Sequence, residues 1–171
     1  MLIDAAWLWE EYIAGVVNEI GGNHYTKKKS KYKLFEDKGG EFQQIVPDYL
    51  YPGEEDGKNT WVADAKYIPL DEEQNKNMSA DRAGDIYYKT IMYMYRFNTE
   101  KGFLLHPVRS DSENMVSSST YNIPGGRGGK LHKVGICIPQ SKDRYASFKK
   151  TIGERENAFK EKIEKLVGGD D

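Results

Sequence analysis

Two short apolar segments, each interrupted by an acidic residue, constrain the fold of this chain most. The first is Ile45-Val46-Pro47-Asp48-Tyr49, and the second is Trp61-Val62-Ala63-Asp64-Ala65-Lys66-Tyr67. Both are rich in the β-branched and aromatic residues that favour strands, where carboxylates are uncommon. A carboxylate buried in a sheet must be paired or must hold a metal ion. The segments therefore predict two neighbouring strands with a site for a hard divalent cation between their acids.

The residue types at this predicted site suit phosphate chemistry. On adjacent strands, Asp48 and Asp64 would bind one Mg²⁺ ion that keeps several of its waters. Lys66 follows Asp64 by two positions, so both side chains point to the same face of the strand. Ala65 faces the other way, but its backbone carbonyl would still reach the metal. The Lys66 ammonium group would orient an attacking water or stabilise the developing charge on a phosphate.

A simpler interpretation of the same residues needs no metal. In that alternative, Asp64 and Lys66 form a salt bridge at the end of a strand, and Asp48 is a turn residue after Pro47. For an isolated Asp-x-Lys sequence, we would favour this alternative. The preceding Pro-Asp segment and the order of the predicted elements shift the balance toward the metal site.

Hydrophobic periodicity predicts the order of helices and strands. Helices are predicted from Asp4 to about Ile20, over about Asp81–Phe97, and beyond Ser141, with Asp4 as a cap and Gly21-Gly22 as a stop. Strands are predicted at Tyr32–Phe35, Phe42–Tyr51, Thr60–Ile68, Gly102–His106 and Lys133–Ile138, with a turn at Lys38-Gly39-Gly40 and a long loop or irregular hairpin at Ser110–Lys130. We therefore expect an α/β or α+β fold with a mixed sheet.

Composition excludes several classes of protein. The 171 residues are enough for one domain with a real core, and 12 Tyr, 6 Phe and 3 Trp argue against disorder. Cys137 is the single cysteine, so no internal disulfide can form, which fits a reducing cytoplasm. Neither a signal peptide nor an apolar run of the ~20 residues that a membrane span needs is found. We expect a cytoplasmic protein in which Cys137 packs inside an apolar strand.

The sequence resembles the PD-(D/E)xK nuclease superfamily. The resemblance rests on Pro47-Asp48 followed by Asp64-Ala65-Lys66 in an αβββαβ order. Over about residues 5–107, the sequence is similar to the nuclease subunit of McrBC-type and LlaJI-type restriction systems. The matching segments are Leu8–Tyr12, Val46–Leu50, Val62–Tyr67 and Asp85–Tyr95. The resemblance implies a single nuclease domain with a restriction-endonuclease-like core at about 4–107 and a C-terminal extension at 108–171.

The resemblance also implies a function and partners. It implies a Mg²⁺-dependent DNA endonuclease, with Mn²⁺ as a substitute metal, whose partners are DNA and an McrB-like AAA+ motor subunit that hydrolyses nucleotides. The chain has no motor motif, so translocation would come from that partner. Set against the resemblance, we also expect the chain to be without the N-terminal region through which such subunits engage the motor. We therefore expect a nuclease fragment or a minimal relative that need not be active by itself.

Relatives of this kind often carry a glutamate on the first helix near the metal. At 100° per residue, Glu10 lies roughly 100° from the centre of the apolar stripe of that helix, and Glu11 lies roughly 160° away. Glu10 would therefore lean toward the sheet as a further metal ligand, whereas Glu11 would face water. The alternative, in which both are solvated helix acids, stays open.

The predicted DNA contacts come from two places. Many relatives carry a glutamine with a tyrosine four residues later on the second helix, and the aligned residues here are Lys89 and Tyr93. Lys89 departs from that pattern, and it would contact a DNA phosphate or form a surface ion pair with Asp85. The other candidates lie in a basic stretch that would follow a nucleic-acid backbone or form a solvated loop: Lys27, Lys28, Lys29 and Lys31.

Other motifs carry less weight. The glycine-rich segment at 125–130 lacks the glycine spacing and the Ser/Thr of a nucleotide-binding loop, because Leu131 follows Lys130. The three histidines have no metal-ligand spacing. The competing function is a non-catalytic nucleic-acid-binding or assembly module that keeps the nuclease fold. The intact set of two acids and a lysine argues against that alternative.

Overall fold

The computed structural model describes residues 4–25, 32–51, 61–68, 70, 80–109, 114–140 and 145–169, with side chains for all of these except 80–83. The helices are α1 (Ala5–Asn18), α2 (Ala80–Arg96) and α3 (Tyr145–Gly168). The strands are β1 (Asn23–His24), β2 (Lys33–Asp37), β3 (Gly40–Gln44), β4 (Tyr49–Tyr51), β5 (Trp61–Ala65), β6 (Lys101–Arg109), β7 (Val116–Asn122) and β8 (Lys130–Ile138).

A six-stranded mixed sheet organises these elements. Its order is β1-β4-β5-β6-β8-β7, and β2 and β3 form a separate two-stranded sheet. Strands β5, β6 and β8 run parallel, whereas β1, β4 and β7 pair in antiparallel fashion at the two sides. The central strands β6 and β8 are buried along almost their whole length, as parallel strands covered on both faces must be. The predicted α/β class with a mixed sheet is confirmed.

The helices cover opposite faces of the sheet. Residues of α1 and α3 pack in one core with Ala63, Ala65, Phe103 and Leu105 of the central strands. Because side chains alternate along a strand, the neighbouring residues Val62, Asp64 and Leu104 face the other way, toward α2. There they meet residues of two smaller cores that α2 covers. Asp64 is thus the acidic residue of an otherwise apolar buried strand.

Helix α1 begins where the sequence predicts. The Asp4 carboxylate accepts hydrogen bonds from the backbone N–H groups of Ala6 at 3.0 Å and Trp7 at 3.2 Å, which is an N-cap. The helix ends at Asn18, two residues before the predicted end at Ile20. Gly21 then takes a φ of +84°, a left-handed conformation that glycine adopts without strain.

The structure corrects one predicted strand and decides between the two alternatives for another segment. The predicted strand Phe42–Tyr51 is split into β3 and β4, because β3 ends at Gln44 and residues 45–48 lie outside both strands. Asp48 therefore lies just before a strand and not inside one. The segment Ser110–Lys130 contains β7, which pairs with β8 as an antiparallel hairpin, so the hairpin alternative is the correct one.

Two glycines test the packing of the sheet. A Cβ atom at Gly135 would meet Val108 Cγ2 at 2.3 Å and the His106 ring at 2.8 Å, whereas Gly153 in α3 has no atom within 4 Å. We expect Gly135→Ala to lower the free energy of unfolding by about 1–3 kcal/mol through overpacking. Gly153→Ala should raise it by about 0.5–1 kcal/mol through helix propensity. Urea denaturation of both variants measures the difference, and equal effects would contradict this packing.

Candidate active site

A fully buried carboxylate lies at the centre of the candidate site. Asp64 is 0% exposed near the end of β5, and its two oxygens are held by different lysines. Lys66, the residue after β5 ends, pairs with Oδ2. Lys89 reaches in from α2 and donates to Oδ1 at 3.0 Å. Two ammonium groups thus compensate one charge that burial would otherwise make very costly.

Asp48 is joined to the same strand through the backbone. Its Oδ2 accepts a hydrogen bond of 2.7 Å from the backbone N–H of Ala65, so the side chain is fixed beside the end of β5. Burial and the negative charge of Asp64 raise the pKa of Asp48 to about 8, although Lys66 and Lys89 act against this. The two acids that the sequence predicts as neighbours are therefore close enough for one to affect the ionisation of the other.

Glu10 faces this group from α1. It is partly buried, whereas the adjacent Glu11 is exposed, which is the difference that helix geometry predicts. Burial raises the pKa of the Glu10 carboxyl, with an opposing effect of Lys66 and a reinforcing effect of Asp64. The helix is held in place at this residue because the Tyr49 hydroxyl donates to the Glu10 carbonyl at 2.6 Å. Glu10 therefore belongs to the same electrostatic group as the strand acids.

Lys89 and Tyr93 make contacts inside the protein, and their predicted contacts with DNA stay predictions. Lys89 pairs with Asp64 and not with Asp85, while 43% of its side chain remains exposed. Burial lowers the Lys89 pKa, but the combined effects of Asp64, Tyr93 and Asp48 outweigh burial and raise it. Tyr93 is 3% exposed, and its hydroxyl donates to the Val46 carbonyl at 2.7 Å. Through this hydrogen bond, Tyr93 holds the segment that leads to Asp48.

The simpler interpretation of the sequence is present in part. The salt bridge between Asp64 and Lys66 that it predicts is formed. However, Asp48 is not an independent turn residue, since its carboxylate is bonded to β5 and is influenced by Asp64. The predicted DNA-binding residues Lys27, Lys28, Lys29 and Lys31 lie outside the described residues.

The donor set fits a hard divalent cation by its chemistry. Asp48, Asp64 and Glu10 are oxygen donors, and Asp64 contributes to the raised pKa of both Asp48 and Glu10, although burial is the larger cause in each. In the part of the chain that the structure describes, no three His, Cys, Asp or Glu side chains are clustered as metal ligands. Mg²⁺ does not require such a cluster, because proteins usually bind it through one or two carboxylates plus waters and substrate phosphates.

The sequence matches a known family where these residues lie. Residues 1–107 match the family described as McrBC 5-methylcytosine restriction system component. This chain belongs to that family. A search of the curated proteins finds no match.

A solved structure is similar to this McrBC family member in its fold. It is a chain of the refined half-complex from a tetradecameric assembly of Thermococcus gammatolerans McrB AAA+ hexamers with bound McrC. The TM-score is 0.53 at 16% sequence identity, and the match covers 97% of this chain and 34% of that chain. The chain thus spans about a third of the length of the protein that it matches. The similarity confirms the predicted fold class, and the family match confirms the McrC-like resemblance.

Sequence reasoning missed two features of the site in this McrBC family member. The contact between Lys89 and Asp64 joins α2 to β5, and helix spacing alone could not show it. The hydrogen bond from Tyr49 to Glu10 was also missed, and the one signal for it in the sequence is that Tyr49 directly follows Asp48.

In the described helices, no stretch is long and apolar enough to cross a membrane.

The coupling between the two strand acids can be measured directly. In metal-free buffer, Asp64→Asn removes the negative charge that helps to raise the pKa of Asp48 and leaves Lys66 and Lys89 free to lower it. We therefore expect the Asp48 pKa to fall from about 8 toward the ordinary range. Carbon-13 NMR titration of the Asp48 carboxyl group provides the value. Asp85→Asn, on the exposed side of α2, is the matched control and should leave that pKa unchanged.

Proposed function

We propose that this chain is the nuclease domain of an McrC-like restriction subunit and that it hydrolyses DNA phosphodiesters with Mg²⁺. The observation that carries the proposal is the convergence of Asp48, Asp64 and Lys66 at the end of β5, with Glu10 facing them from α1. Two acids and a lysine in this arrangement are the pattern of the PD-(D/E)xK superfamily. The family match supports a restriction-system component, and the site chemistry supports a hydrolase.

In this proposal, the metal is held by oxygen atoms from two strands and a helix. Asp48 and Asp64 would be the principal ligands, with the Ala65 carbonyl and Glu10 assisting. When bound, Mg²⁺ lowers the pKa of a coordinated water and neutralises charge on a phosphate oxygen. Mn²⁺ has a similar preference for oxygen donors and would substitute for it.

Lys66 would act on the reacting group itself. In the structure, its ammonium group is paired with Asp64, and 21% of the side chain is exposed. From that position it would donate hydrogen bonds to the attacking water or to a phosphate oxygen. Such a donor contributes most where negative charge develops in the transition state, in surroundings that exclude bulk water.

DNA and a motor subunit would be the partners. The solved chain with the same fold belongs to an assembly of McrB AAA+ hexamers with bound McrC, which supports an McrB-like AAA+ partner for this chain. Lys89, whose side chain is partly exposed, would contact a DNA phosphate beside the metal. The basic residues Lys27, Lys28, Lys29 and Lys31 would contribute contacts to the backbone that depend on salt concentration.

One observation favours the alternative of a non-catalytic nucleic-acid-binding module. Lys66 and Lys89 together neutralise Asp64 without any metal, which would make the site stable as a purely structural ion-pair network. The catalytic proposal is supported by two further carboxyl groups beside Asp64, those of Asp48 and Glu10, which such an ion-pair network does not need.

Plasmid nicking separates these two functions. We expect cleavage that requires Mg²⁺ or Mn²⁺, and a fall of about 100-fold or more in rate for Asp64→Ala and for Lys66→Ala, because each removes a group that acts in the transition state. Asp85→Asn and Lys150→Ala change exposed charges on α2 and α3 and should retain the rate. The assay is run with and without the AAA+ subunit from the same source.

Two outcomes would contradict the catalytic proposal. One is nicking that survives both Asp64→Ala and Lys66→Ala, which would place the activity elsewhere or in a contaminant. The other is no metal-dependent cleavage under either condition while the protein still binds DNA, which would favour the non-catalytic module.

Metal binding provides a test that does not need activity. Isothermal titration calorimetry measures the binding of Mn²⁺. We expect Mn²⁺ to bind the wild-type protein, and to bind the Asp48→Asn variant about 10-fold or more weakly, because the loss of a residue at a metal site lowers metal affinity by about this factor. Asparagine keeps an oxygen that can accept the Ala65 hydrogen bond, so Asp48→Asn changes charge more than fold. The affinity of Asp85→Asn should match the wild type. Equal affinities for all three proteins would refute Asp48 as a ligand.

A further inference from the structure

Two buried basic side chains hold the backbone of Leu70, which follows Lys66 by four residues. The Leu70 N–H donates to His106 Nδ1 at 3.4 Å, and the Leu70 carbonyl accepts from Lys133 Nζ at 3.0 Å. His106 is on β6 and Lys133 is on β8, so the contacts come from two neighbouring parallel strands. Both side chains are almost fully buried.

These contacts exist because Leu70 is inserted into the core. Its side chain is 2% exposed and packs with Ile86 of α2 and Leu104 of β6. A backbone that accompanies a buried side chain has polar groups that must find partners inside the protein. His106 supplies an acceptor and Lys133 supplies a donor for the two polar groups of this one residue. Because a backbone N–H can only donate, Nδ1 is the acceptor in this contact, and the same atom also lies 3.4 Å from the Pro107 carbonyl oxygen.

The His106 ring is seated on a surface that suits it. Gly135 lies opposite His106 in the ladder between β6 and β8. A Cβ atom there would lie 2.8 Å from His106 Cε1 and 3.0 Å from Nε2, so only glycine leaves room for the ring in this position. Lys133 lies on the same face of β8 as Gly135, and its Nζ atom is 5.2 Å from the centre of the Tyr121 ring. The Leu70 contact is therefore built by several strands.

Lys66 is fixed at the other end of the same short segment. Its N–H donates to the Leu105 carbonyl at 2.8 Å, which extends the pairing of β5 and β6 by one residue. The indole N–H of Trp9 donates to the same carbonyl at 3.3 Å. The chain that carries Lys66 is thus anchored at Lys66 by β6 and again at Leu70 by His106 and Lys133.

We propose that His106 and Lys133 are positioning residues that keep the Lys66 ammonium group beside Asp64 by holding Leu70. This inference rests on the proposed function of Lys66. Neither residue touches the reacting atoms in this proposal. They limit the movement of the segment after β5, and a displacement of about 1 Å at a catalytic group can reduce the rate about 100-fold.

The experiment compares two replacements at His106 and one at Lys133. His106→Leu removes the acceptor, whereas His106→Asn keeps a polar atom near the place of Nδ1. Lys133→Met keeps most of the length of the side chain and removes the ammonium group. Ile163→Val, a conservative change in the core under α3, is the control for a small general loss of stability. For each variant, kcat and KM for nicking and backbone amide exchange of residues 61–70 are measured.

We expect His106→Leu and Lys133→Met to lower kcat about 10- to 100-fold with KM within about 2-fold, because DNA binding does not depend on the Leu70 contact. Amide exchange should become faster at Lys66–Ile68 and Leu70 and stay unchanged in the first residues of β5. His106→Asn should recover most of kcat, and Ile163→Val should keep both kcat and the local exchange of the wild type.

The proposal is overturned by any of three results. An unchanged kcat for His106→Leu in an active enzyme would show that the contact does not position Lys66. Equal losses in His106→Asn and His106→Leu, or in Ile163→Val, would show a general effect on folding. If the wild-type protein does not cleave DNA, the proposed function fails separately, and unchanged amide exchange at Lys66 in His106→Leu would then also refute the positioning role.

Discussion

The buried charge of Asp64 is the constraint on which the candidate site depends. A carboxylate inside a sheet is tolerated only when cations and hydrogen-bond donors surround it with good geometry. Lys66 and Lys89 satisfy that requirement from the end of β5 and from α2. Their positions are therefore not independent of Asp64, and the register of α2 against the sheet is fixed partly by one ion pair. The negative charge of Asp64 attracts these lysines but disfavours ionisation of Asp48, whose pKa is raised by burial and by Asp64.

The sheet brings these groups together because of how its strands run. β5 and β6 are parallel, so both of their carboxyl ends lie at one edge, where ligands of open α/β sheets usually bind. Helices on the two faces each add one residue at that edge, Glu10 from α1 and Lys89 from α2. Tyrosine hydroxyls then fix backbone carbonyls close to the site, at Glu10 and at Val46. Few of these links are local in sequence, so the site exists only when the whole sheet is assembled.

The sequence predicted the parts whose signal is local and left out those that depend on tertiary contacts. Helix α1, with its apolar stripe, and the apolar strand that carries Asp64 were predicted at the right places, although both are shorter than predicted, and the 100° rotation per residue distinguished Glu10 from Glu11. The break between Gln44 and Tyr49 was missed because Ile45 and Val46 continue the apolar strand pattern through it. β7 was ambiguous because it is a polar strand at the edge of the sheet, where alternation is weak. The Lys89–Asp64 pair could not be derived, since it joins residues whose separation is set by packing.

Lys89 gives this site a character different from that of relatives with a glutamine at the aligned position. An ammonium group at 3.0 Å from Asp64 competes with any divalent cation for the same oxygen, which a neutral amide would not do. Three carboxylates against two lysines leave one net negative charge when all are ionised, so the residues by themselves attract a cation only weakly. A substrate phosphate adds negative charge and further oxygen ligands beside Lys89 and Lys66. In the proposed mechanism, metal and DNA would therefore bind together more tightly than either binds alone. When both bind, the Lys89 ammonium group would leave Asp64 and pair with the phosphate.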